Sequence, residues 1–326
     1  MKFKFSIIII YSEISSDLYK CLNHIDNQNY KNFEVILVSE QDKKIEHKFN
    51  FSYKRIISQD KSPSFKRNLG VKNSDSNYIA FIDDDAYANK NWLEMASFYF
   101  HKGYEIFGGS AVNDKEESHY NILNSVVYLD IFNSGVLNRY EDTKNIRFID
   151  EMPSVNFFVK REIFNLVNGF DNNFWPGEDS LICNEILKKG YKIYYVPNLL
   201  VEHQRRKGFI KTQQQISKYS YTRGFIIRNK NPYKIYIQYF IPSLFLIYLI
   251  FLLSTYFIFG NLNLYLSTPF YIYIFYTFTN TIINIYKYKS LLLILTPIFL
   301  FISHLNYGFG FLRGFFSKKY KLKLGR

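Results

Sequence analysis

The sequence predicts an α/β domain with a mostly parallel sheet, followed by an all-α transmembrane region. Two observations support this prediction. Apolar segments of strand length alternate with helical patterns through residue 203, and the 52 residues 235–286 carry no charged side chain. The charge also divides there, because all 28 acidic residues lie at or before Glu202 while the whole chain has a net charge of +13. We therefore expect one domain over residues 1–203 and a second, dissimilar region after it.

The N-terminal domain is predicted to contain five strands that alternate with four helices. Fully apolar strands of this kind are typical of a mostly parallel sheet with helices on both faces. Ser62 and Pro63 mark the beginning of the second helix, since Ser caps helices and Pro is favoured in the first turn. The predicted strands are residues 5–10, 33–39, 78–83, 105–112 and 191–197, and the predicted helices are residues 15–28, 62–74, 90–100 and 178–189.

The region after residue 234 is predicted to be bound to a membrane. A spanning helix needs roughly 20 apolar residues. The run 235–286 therefore has room for two spans, broken near GNLN (260–263), and the uncharged run 290–312 has room for one more. A buried soluble helical domain is the alternative, but such a domain would carry a polar face. We expect two or three transmembrane helices within residues 235–316.

A basic juxtamembrane segment, residues 204–234, joins the two parts and carries nine Lys or Arg but no acid. Such a segment favours the cytoplasmic side and anionic lipid headgroups, so residues 1–203 are expected to be cytoplasmic. Nucleic-acid binding is the rival interpretation, and it is disfavoured because the segment directly abuts a membrane span. Three spans would place the basic tail, residues 317–326, on the outer side, against the positive-inside tendency.

Three consecutive aspartates, Asp83, Asp84 and Asp85, end the third predicted strand. Adjacent carboxylates repel one another unless a cation or hydrogen-bond donors compensate. A hard divalent cation such as Mg²⁺ or Mn²⁺ takes oxygen ligands and keeps positions open for phosphate oxygens. Ligands of open α/β sheets also bind beyond the carboxyl ends of strands. A polar turn that caps the next helix is the alternative, but the position favours a metal site.

A second acidic pair, Glu178 and Asp179, lies in the stretch WPGED (175–179) at the predicted beginning of a helix. Acidic residues in the first turn complement the helix dipole, so a purely structural role is one interpretation. The aromatic residue, the rigid Pro-Gly turn and the two carboxylates together favour a functional site. The dipole is expected to keep the carboxylate ionised, as a general base requires.

Five motifs, in this order, resemble the family 2 glycosyltransferases, whose nucleotide-sugar-binding domain has the Rossmann-like GT-A fold. The likeness covers about residues 5–205. The motifs are SIIII, NQNYKNFEVILVSEQD, KRNLGVKNSDSNYIAFIDDDA, PSVNFFVKREIF and GFDNNFWPGEDSLICNEILKKGYKIYYVPNLLVEH. Each motif alone is a modest signal, but five motifs in the correct order and spacing are specific.

The resemblance implies a metal-dependent donor site. Asp83 and Asp85 match the DXD motif, with Asp85 as a direct metal ligand and Asp83 or Asp84 nearer the ribose and diphosphate. Arg67 matches a basic residue that faces the donor. His203 follows the strand after the ED helix, where related enzymes can place a metal or phosphate contact.

The resemblance also implies a catalytic base and an acceptor site. Asp179, in the ED motif, matches the base, and Glu178 lies beside it. Asn156 matches a position that lines the sugar or acceptor site. The sequence departs from the family after the second strand, where the usual Asp-Asp is Ser39-Glu40. The family holds the nucleotide base there, and Glu40 can still accept a hydrogen bond from a uracil or guanine N–H.

Two segments of the C-terminal part resemble particular subgroups. HLNYGFGFLRG (304–314) is similar to the end of a membrane-anchored polysaccharide-assembly subgroup with C-terminal transmembrane helices. QISKY (215–219) is loosely similar to the QxxRW motif of processive sugar polymerases. The glycines Gly308, Gly310 and Gly314 are expected to allow close helix packing, because no strand precedes them as a dinucleotide fingerprint requires.

Together these features predict an inverting, metal-dependent glycosyltransferase. It would move a sugar from a nucleotide-diphosphate donor to a saccharide or polyprenyl-linked acceptor, in cell-surface polysaccharide or glycolipid biosynthesis. Membrane lipids are expected partners and nucleic acid is not. A processive polysaccharide synthase is one alternative, favoured by QISKY and the spans. A non-catalytic scaffold is the other, suggested by Ser39-Glu40 but disfavoured by the retained acidic motifs.

Overall fold

A computed structural model describes residues 3–113, 122–127, 145–203, 208–261 and 263–322 of the protein. These residues form two compact units. The N-terminal unit holds residues 3–113 and 145–203, together with 321–322. The helical unit holds residues 122–127 and the described residues from 208 to 320.

An eight-stranded sheet forms the centre of the N-terminal unit, in the order β3-β2-β1-β4-β9-β6-β10-β8. Four of its seven described pairings are parallel and three are antiparallel. The strands of this sheet are β1 (Phe5–Ile10), β2 (Phe33–Ser39), β3 (Tyr53–Ile57), β4 (Tyr78–Asp83), β6 (Ile106–Gly108), β8 (Arg147–Ile149), β9 (Asn156–Lys160) and β10 (Ile193–Tyr195). A smaller sheet, β5-β11-β7, is formed by β5 (Ala86–Ala88), β7 (Ala111–Asn113) and β11 (Val201–His203).

Helices cover both faces of the large sheet, which confirms the predicted α/β class. Successive side chains of a strand point to opposite faces, and in β1 Ile7 and Ile9 pack on one side while Ile8 and Ile10 pack on the other. The first side meets α1 (Ser16–Asp26) and α3 (Trp92–His101). The second side meets α2 (Pro63–Lys72), α4 (Arg161–Leu166) and α5 (Glu178–Lys188). Every residue of β1 and β2 is buried, as their apolar sequences predict.

The predicted strand over residues 105–112 is wrong in one respect, because two strands in different sheets replace it. β6 ends at Gly108 and β7 begins at Ala111. Gly109 passes so close to Leu199 that a Cβ on residue 109 would overlap the Leu199 carbonyl oxygen. This close approach turns the chain out of the large sheet. The sequence analysis also missed β9, which lies antiparallel between β4 and β6 and makes the sheet mixed.

The helical unit is built from four long helices: α6 (Phe209–Asn229), α7 (Ile241–Phe259), α8 (Leu264–Tyr288) and α9 (Thr296–Phe315). The predicted break near residues 260–263 is confirmed: α7 ends before Gly260, which has φ of 70°, and Asn263 caps α8. Within the described residues, two segments are long and apolar enough to cross a membrane, Ile241–Phe259 and Leu291–Phe315.

The glycines of α9 pack against neighbouring helices, as the sequence predicts. A Cβ on Gly308 would lie 2.5 Å from the carbonyl oxygen of Pro242, in α7. A Cβ on Gly310 or Gly314 would overlap Ser220 or Tyr221, in α6. The three glycines therefore let α9 approach two helices at backbone distance.

Candidate active site

The carboxyl ends of β1, β2 and β4 meet at one edge of the large sheet. The parallel register pairs Ile10 of β1 with Val38 of β2 and with Asp83 of β4. The residues that follow these strands therefore lie together, as expected for the ligand-binding edge of an open α/β sheet. This edge carries Glu40 on one side and the three aspartates on the other.

Helix α2 directs two adjacent cations toward this edge. Lys66 and Arg67 are both almost fully buried, at 2% and 5% exposure. The amine of Lys66 donates to Glu40 Oε2 at 2.9 Å and to the carbonyl oxygen of Tyr11 at 3.2 Å. Arg67 reaches different partners, the carboxylates of Asp83 and Glu178.

Arg67 is the centre of a second group of contacts at this edge. Its guanidinium donates to Glu178 Oε1 at 2.9 Å and to Asp83 Oδ1 at 3.0 Å, so it bridges α5 and the end of β4. Burial opposes its charge, but the carboxylates of Asp83, Asp179 and Glu178 outweigh burial and raise the pKa of Arg67. Arg67 is therefore a permanent positive charge in this site.

The loop before α5 is tied to α2, which explains how the acidic pair reaches Arg67. Asn68 Nδ2 donates to the carbonyl oxygen of Phe170 at 2.8 Å, and the Phe170 N–H donates to Asn68 Oδ1 at 2.9 Å. Ser64 Oγ donates to the carbonyl oxygen of Phe174 at 3.0 Å. Gly177, with φ of 108°, then turns the chain into α5, where Glu178 is the first residue.

Glu178 and Asp179 have strongly perturbed carboxyl groups. Burial raises the pKa of Glu178 to about 7, with a further contribution from Asp179 and opposition from Arg67. Burial also raises the pKa of Asp179, and Arg67 and Ser154 oppose this shift while Asp83 adds to it. Burial thus outweighs the helix dipole that the sequence analysis invoked. Asp179 Oδ1 is buried and has no hydrogen-bond partner among the described residues.

The three aspartates do not share one environment. Asp83 ends β4 and bonds Arg67, while Asp84 and Asp85 form the turn into β5. Asp85 Oδ1 lies 3.3 Å from His203 Nε2. The small sheet accounts for this contact, because β11 pairs with β5 and sets His203 opposite Ala86, the residue after Asp85.

Asp83, Asp85 and His203 form a donor set that fits a divalent cation. One ligand atom from each residue lies within 4.8 Å of the other two. Two carboxylates suit hard cations such as Mg²⁺ and Mn²⁺, and an imidazole adds a nitrogen ligand. We refer to Asp83, Asp84, Asp85, Glu178 and Asp179 as the carboxylate cluster. Within this cluster, Arg67 binds Glu178 and Asp83, and His203 contacts Asp85.

Comparison with known proteins identifies the family of this chain. Residues 6–165 match the model of the family described as glycosyl transferase family 2. The chain is a family 2 glycosyltransferase. It is 25% identical over 327 residues to the dolichyl N-acetyl-alpha-D-glucosaminyl phosphate 3-beta-D-2,3-diacetamido-2,3-dideoxy-beta-D-glucuronosyltransferase of Methanococcus voltae, covering 95% of this chain and 96% of that protein.

Two further similarities cover less of the chain. Glycosyltransferase AglE of Haloferax volcanii is 26% identical over 211 residues, which are 61% of this chain and 66% of that protein. The structure of S. aureus TarS 1-349 in complex with UDP-GlcNAc shares 15% identity with a TM-score of 0.46. That similarity covers 67% of this glycosyltransferase and 65% of the TarS chain.

Asn156 has a structural role in this glycosyltransferase rather than the predicted contact with sugar or acceptor. Its side chain is fully buried. Asn156 Oδ1 accepts from Trp92 Nε1 at 2.9 Å, and Asn156 Nδ2 donates to the carbonyl oxygens of Ser110 and Leu199 at 3.2 and 2.7 Å. These bonds join β9 to α3 and to the loops beside β7 and β11. The amide group is therefore already occupied within the fold.

Glu40 lies at the predicted edge, but one of its oxygens is taken by Lys66. The sequence analysis missed Lys66, although its position beside Arg67 in KRNLG was a usable signal. A buried lysine at the beginning of a helix requires an acidic partner, and Glu40 supplies it. The second oxygen of Glu40 remains the candidate contact for a nucleotide base.

Proposed function

We propose that this glycosyltransferase moves a sugar from a nucleotide-diphosphate donor to a lipid-linked saccharide acceptor, with inversion at the anomeric carbon. The proposal extends to a role in cell-surface polysaccharide or glycolipid biosynthesis. Similarity over 95% of the chain to an enzyme whose name specifies a dolichyl phosphate-linked sugar supports the acceptor class. The observation that carries the mechanism is the buried, unpartnered carboxylate oxygen of Asp179 beside Arg67 and Asp83.

The donor site would use the carboxylate cluster. Asp83, Asp85 and His203 would hold Mg²⁺ or Mn²⁺, which supplies positive charge against the departing diphosphate. Arg67 adds a fixed positive charge that needs no reorganisation, because Asp83 and Glu178 already hold its guanidinium. Glu40 would accept from the base of the donor, with its carboxylate held by Lys66.

Asp179 would act as the general base. It would take the proton of the acceptor hydroxyl as that oxygen attacks the sugar from the face opposite the diphosphate, which inverts the configuration. A raised pKa makes the Asp179 carboxylate a stronger base than an exposed aspartate, provided that it is ionised. Glu178 would not compete for this role, because its carboxyl group is bound to Arg67.

The membrane is the proposed location, with α7 and further helical segments anchoring the chain and the catalytic unit in the cytoplasm. The length and apolar composition of Ile241–Phe259 and Leu291–Phe315 support an anchor. Residues 204–234, with nine cations and no acid, support the cytoplasmic side. A membrane location would bring the enzyme to acceptors that are themselves bound to lipid.

The test is the replacement Asp179→Asn, compared with Glu185→Gln as a matched control on the same helix. Glu185 is half-exposed and contacts its helix neighbours Lys188 and Asn184, away from Arg67. Asp179→Asn should lower transfer to a lipid-linked acceptor by roughly 10²–10⁴-fold, the usual contribution of a general base, while nucleotide binding persists. Retention of more than about a tenth of the activity would rule out the base assignment.

Product length separates this proposal from a processive synthase. Single transfer gives one added sugar for each acceptor, whatever the excess of donor. A ladder of longer products from one acceptor would favour the synthase. Absence of any donor turnover, with every nucleotide sugar tried, would favour the scaffold.

A further inference from the structure

Helices α6 and α9 are parallel neighbours along most of their length. Asn306 Nδ2 donates to the carbonyl oxygen of Gln213 at 2.7 Å, near the beginning of α6. At the other end, Asn229 Nδ2 donates to the carbonyl oxygen of Ser317 at 3.3 Å. Further contacts follow the same direction, since later residues of α6 meet later residues of α9. They join Gln213 with Ser303, Ser220 with Gly310, Tyr221 with Gly314, and Gly224 with Phe311 and Phe315.

The two backbones touch, so the pair cannot separate without losing its packing. A Cβ on Gly224 would overlap the Phe311 carbonyl oxygen, and a Cβ on Gly314 would overlap the Tyr221 carbonyl oxygen. After α9, the hydroxyl of Tyr320 hydrogen-bonds Thr222 at 2.7 Å, and the Tyr320 ring packs on Phe225. The chain that leaves α9 therefore stays on α6.

Helix α6 is too polar to enter hydrocarbon. It contains Lys211, Lys218, Arg223 and Arg228, and three consecutive glutamines from Gln213. Charged side chains near the centre of a bilayer are costly unless they pair or reach water. The contact with α9 covers residues 213–229 of α6, about 24 Å at 1.5 Å per residue, which approaches the ~30 Å thickness of the hydrocarbon. An α9 that crossed the membrane would draw α6 through it.

We propose that α9 does not cross the membrane but lies in its cytoplasmic interface beside α6, and that the pair binds anionic lipid headgroups. Opposite the face that packs on α6 and α7, α9 exposes an apolar stripe whose members lie one or two helical turns apart. Its exposed members are Ile298, Ile302 and Phe309, and the stripe continues to Ile294 before the helix and Phe316 after it. This stripe is the face that enters the boundary between headgroups and acyl chains.

Charge complementarity identifies the lipid. Arg228, Arg313, Lys318 and Lys319 are exposed around the C-terminal end of the pair, and the sequence after Glu202 contains no acid. Interfacial helices with basic polar faces and apolar opposite faces bind anionic bilayers. The arrangement also agrees with the positive-inside tendency, because it places residues 317–320 of the basic tail on the cytoplasmic side, where α6 lies. The inference rests on the proposed membrane location.

Site-directed labelling tests this arrangement in the full chain. Lys287→Cys lies before α9, Lys318→Cys lies after it, and Asn261→Cys lies in the loop between α7 and α8. All three positions are exposed, whereas the native Cys21 and Cys183 are fully buried and serve as the unlabelled background. A membrane-impermeant maleimide is applied to sealed vesicles of each orientation. Positions 287 and 318 should react from the same side, with at least a tenfold excess over the other side.

Reaction of positions 287 and 318 from opposite sides would overturn the proposal, because α9 would then cross. Asn261→Cys reports separately on the membrane location, since it should react from the side opposite to position 287. Release of the protein from membranes by alkaline carbonate would overturn both the location and the inference.

A disulfide tests the helix pair itself. A Cβ on residue 310 would lie 3.4 Å from Ser220 Cβ, close to the Cβ separation of natural disulfides. The double variant Ser220→Cys/Gly310→Cys should therefore crosslink on mild oxidation in membranes. Gln214→Cys/Gly310→Cys, with the first cysteine on the exposed side of α6, is the matched control and should not crosslink. Equal crosslinking of both variants, or of neither, would overturn the parallel pair.

Discussion

Two charge arrangements at the same sheet edge differ in their balance, although adjacent residues of α2 serve them. Lys66 and Glu40 form a one-to-one pair, with 3% and 21% of their side chains exposed. Arg67 instead lies within the carboxylate cluster, where it binds Glu178 and Asp83, while Asp85 contacts His203. A balanced pair satisfies itself, whereas crowded carboxylates are stabilised by protonation or by an added cation. The difference separates a self-contained ion pair from a donor set that fits a divalent cation.

Removal of Arg67 from the carboxylate cluster should have the largest effect on stability. Arg67→Met leaves Glu178 and Asp83 buried without their cation, and this should lower the free energy of unfolding by about 3–5 kcal/mol. Tryptophan fluorescence during denaturant unfolding reports the change, because Trp92 and Trp175 are the only two tryptophans and both lie in the N-terminal unit. Replacing Lys72, a cation at the end of the same helix, with Met is the control and should cost less than about 0.5 kcal/mol.

Loss of a predicted metal ligand should have the next largest effect, on the stabilisation that a bound nucleotide provides. A nucleoside diphosphate with Mn²⁺, at about 100 times its dissociation constant, should stabilise the protein by about 2.7 kcal/mol. Asp85→Asn should abolish this gain, and His203→Gln should reduce it. Thermal unfolding is measured against a panel of nucleoside diphosphates and nucleotide sugars, with and without Mn²⁺. Equal stabilisation of wild type and Asp85→Asn would exclude Asp85 as a ligand.

The pair formed by Lys66 and Glu40 should lose less stability when its cation is removed. Lys66→Met should cost about 1–3 kcal/mol, less than Arg67→Met, because Glu40 keeps partial access to water. The double variant Lys66→Met/Glu40→Leu should recover most of this loss, since it removes both charges together. A double-mutant cycle measured by denaturant unfolding gives the coupling. If the double variant is no more stable than Lys66→Met alone, the two residues are not a self-contained pair.

The most gradual expected effect, and the smallest at each step, is a pH dependence that Glu178 introduces. Its pKa is raised to about 7 in the folded protein, so between about pH 4.5 and 7 the native state binds more protons than the unfolded state. The free energy of unfolding of the metal-free protein should therefore fall as pH rises through this window, by about 1 kcal/mol per pH unit. Glu178→Gln should flatten this slope, while Glu185→Gln should preserve it.

Much of the N-terminal fold could be predicted because its signals are local. The apolar sequences of β1, β2 and β4 are strands with the predicted bounds. Ser62 and Pro63 begin α2, and Gly177 begins α5, as their turn chemistry indicates. The antiparallel direction of β9 could not be predicted, because a buried strand in a mixed sheet has the same apolar pattern as one in a parallel sheet.

The sequence by itself determined where β1, β2 and β4, the beginnings of α2 and α5, and the acidic motifs lie, since hydrophobic period and turn residues act within a few positions. Tertiary structure decided which polar groups meet. Pairing of β11 with β5 set His203 beside Asp85, and the direction of α2 assigned Lys66 and Arg67 to different carboxylates. The parallel packing of α6 and α9 could not be predicted either, because the apolar composition of α9 is also that of a transmembrane helix. Such contacts depend on register and helix direction over long chain separations, and no local pattern encodes them.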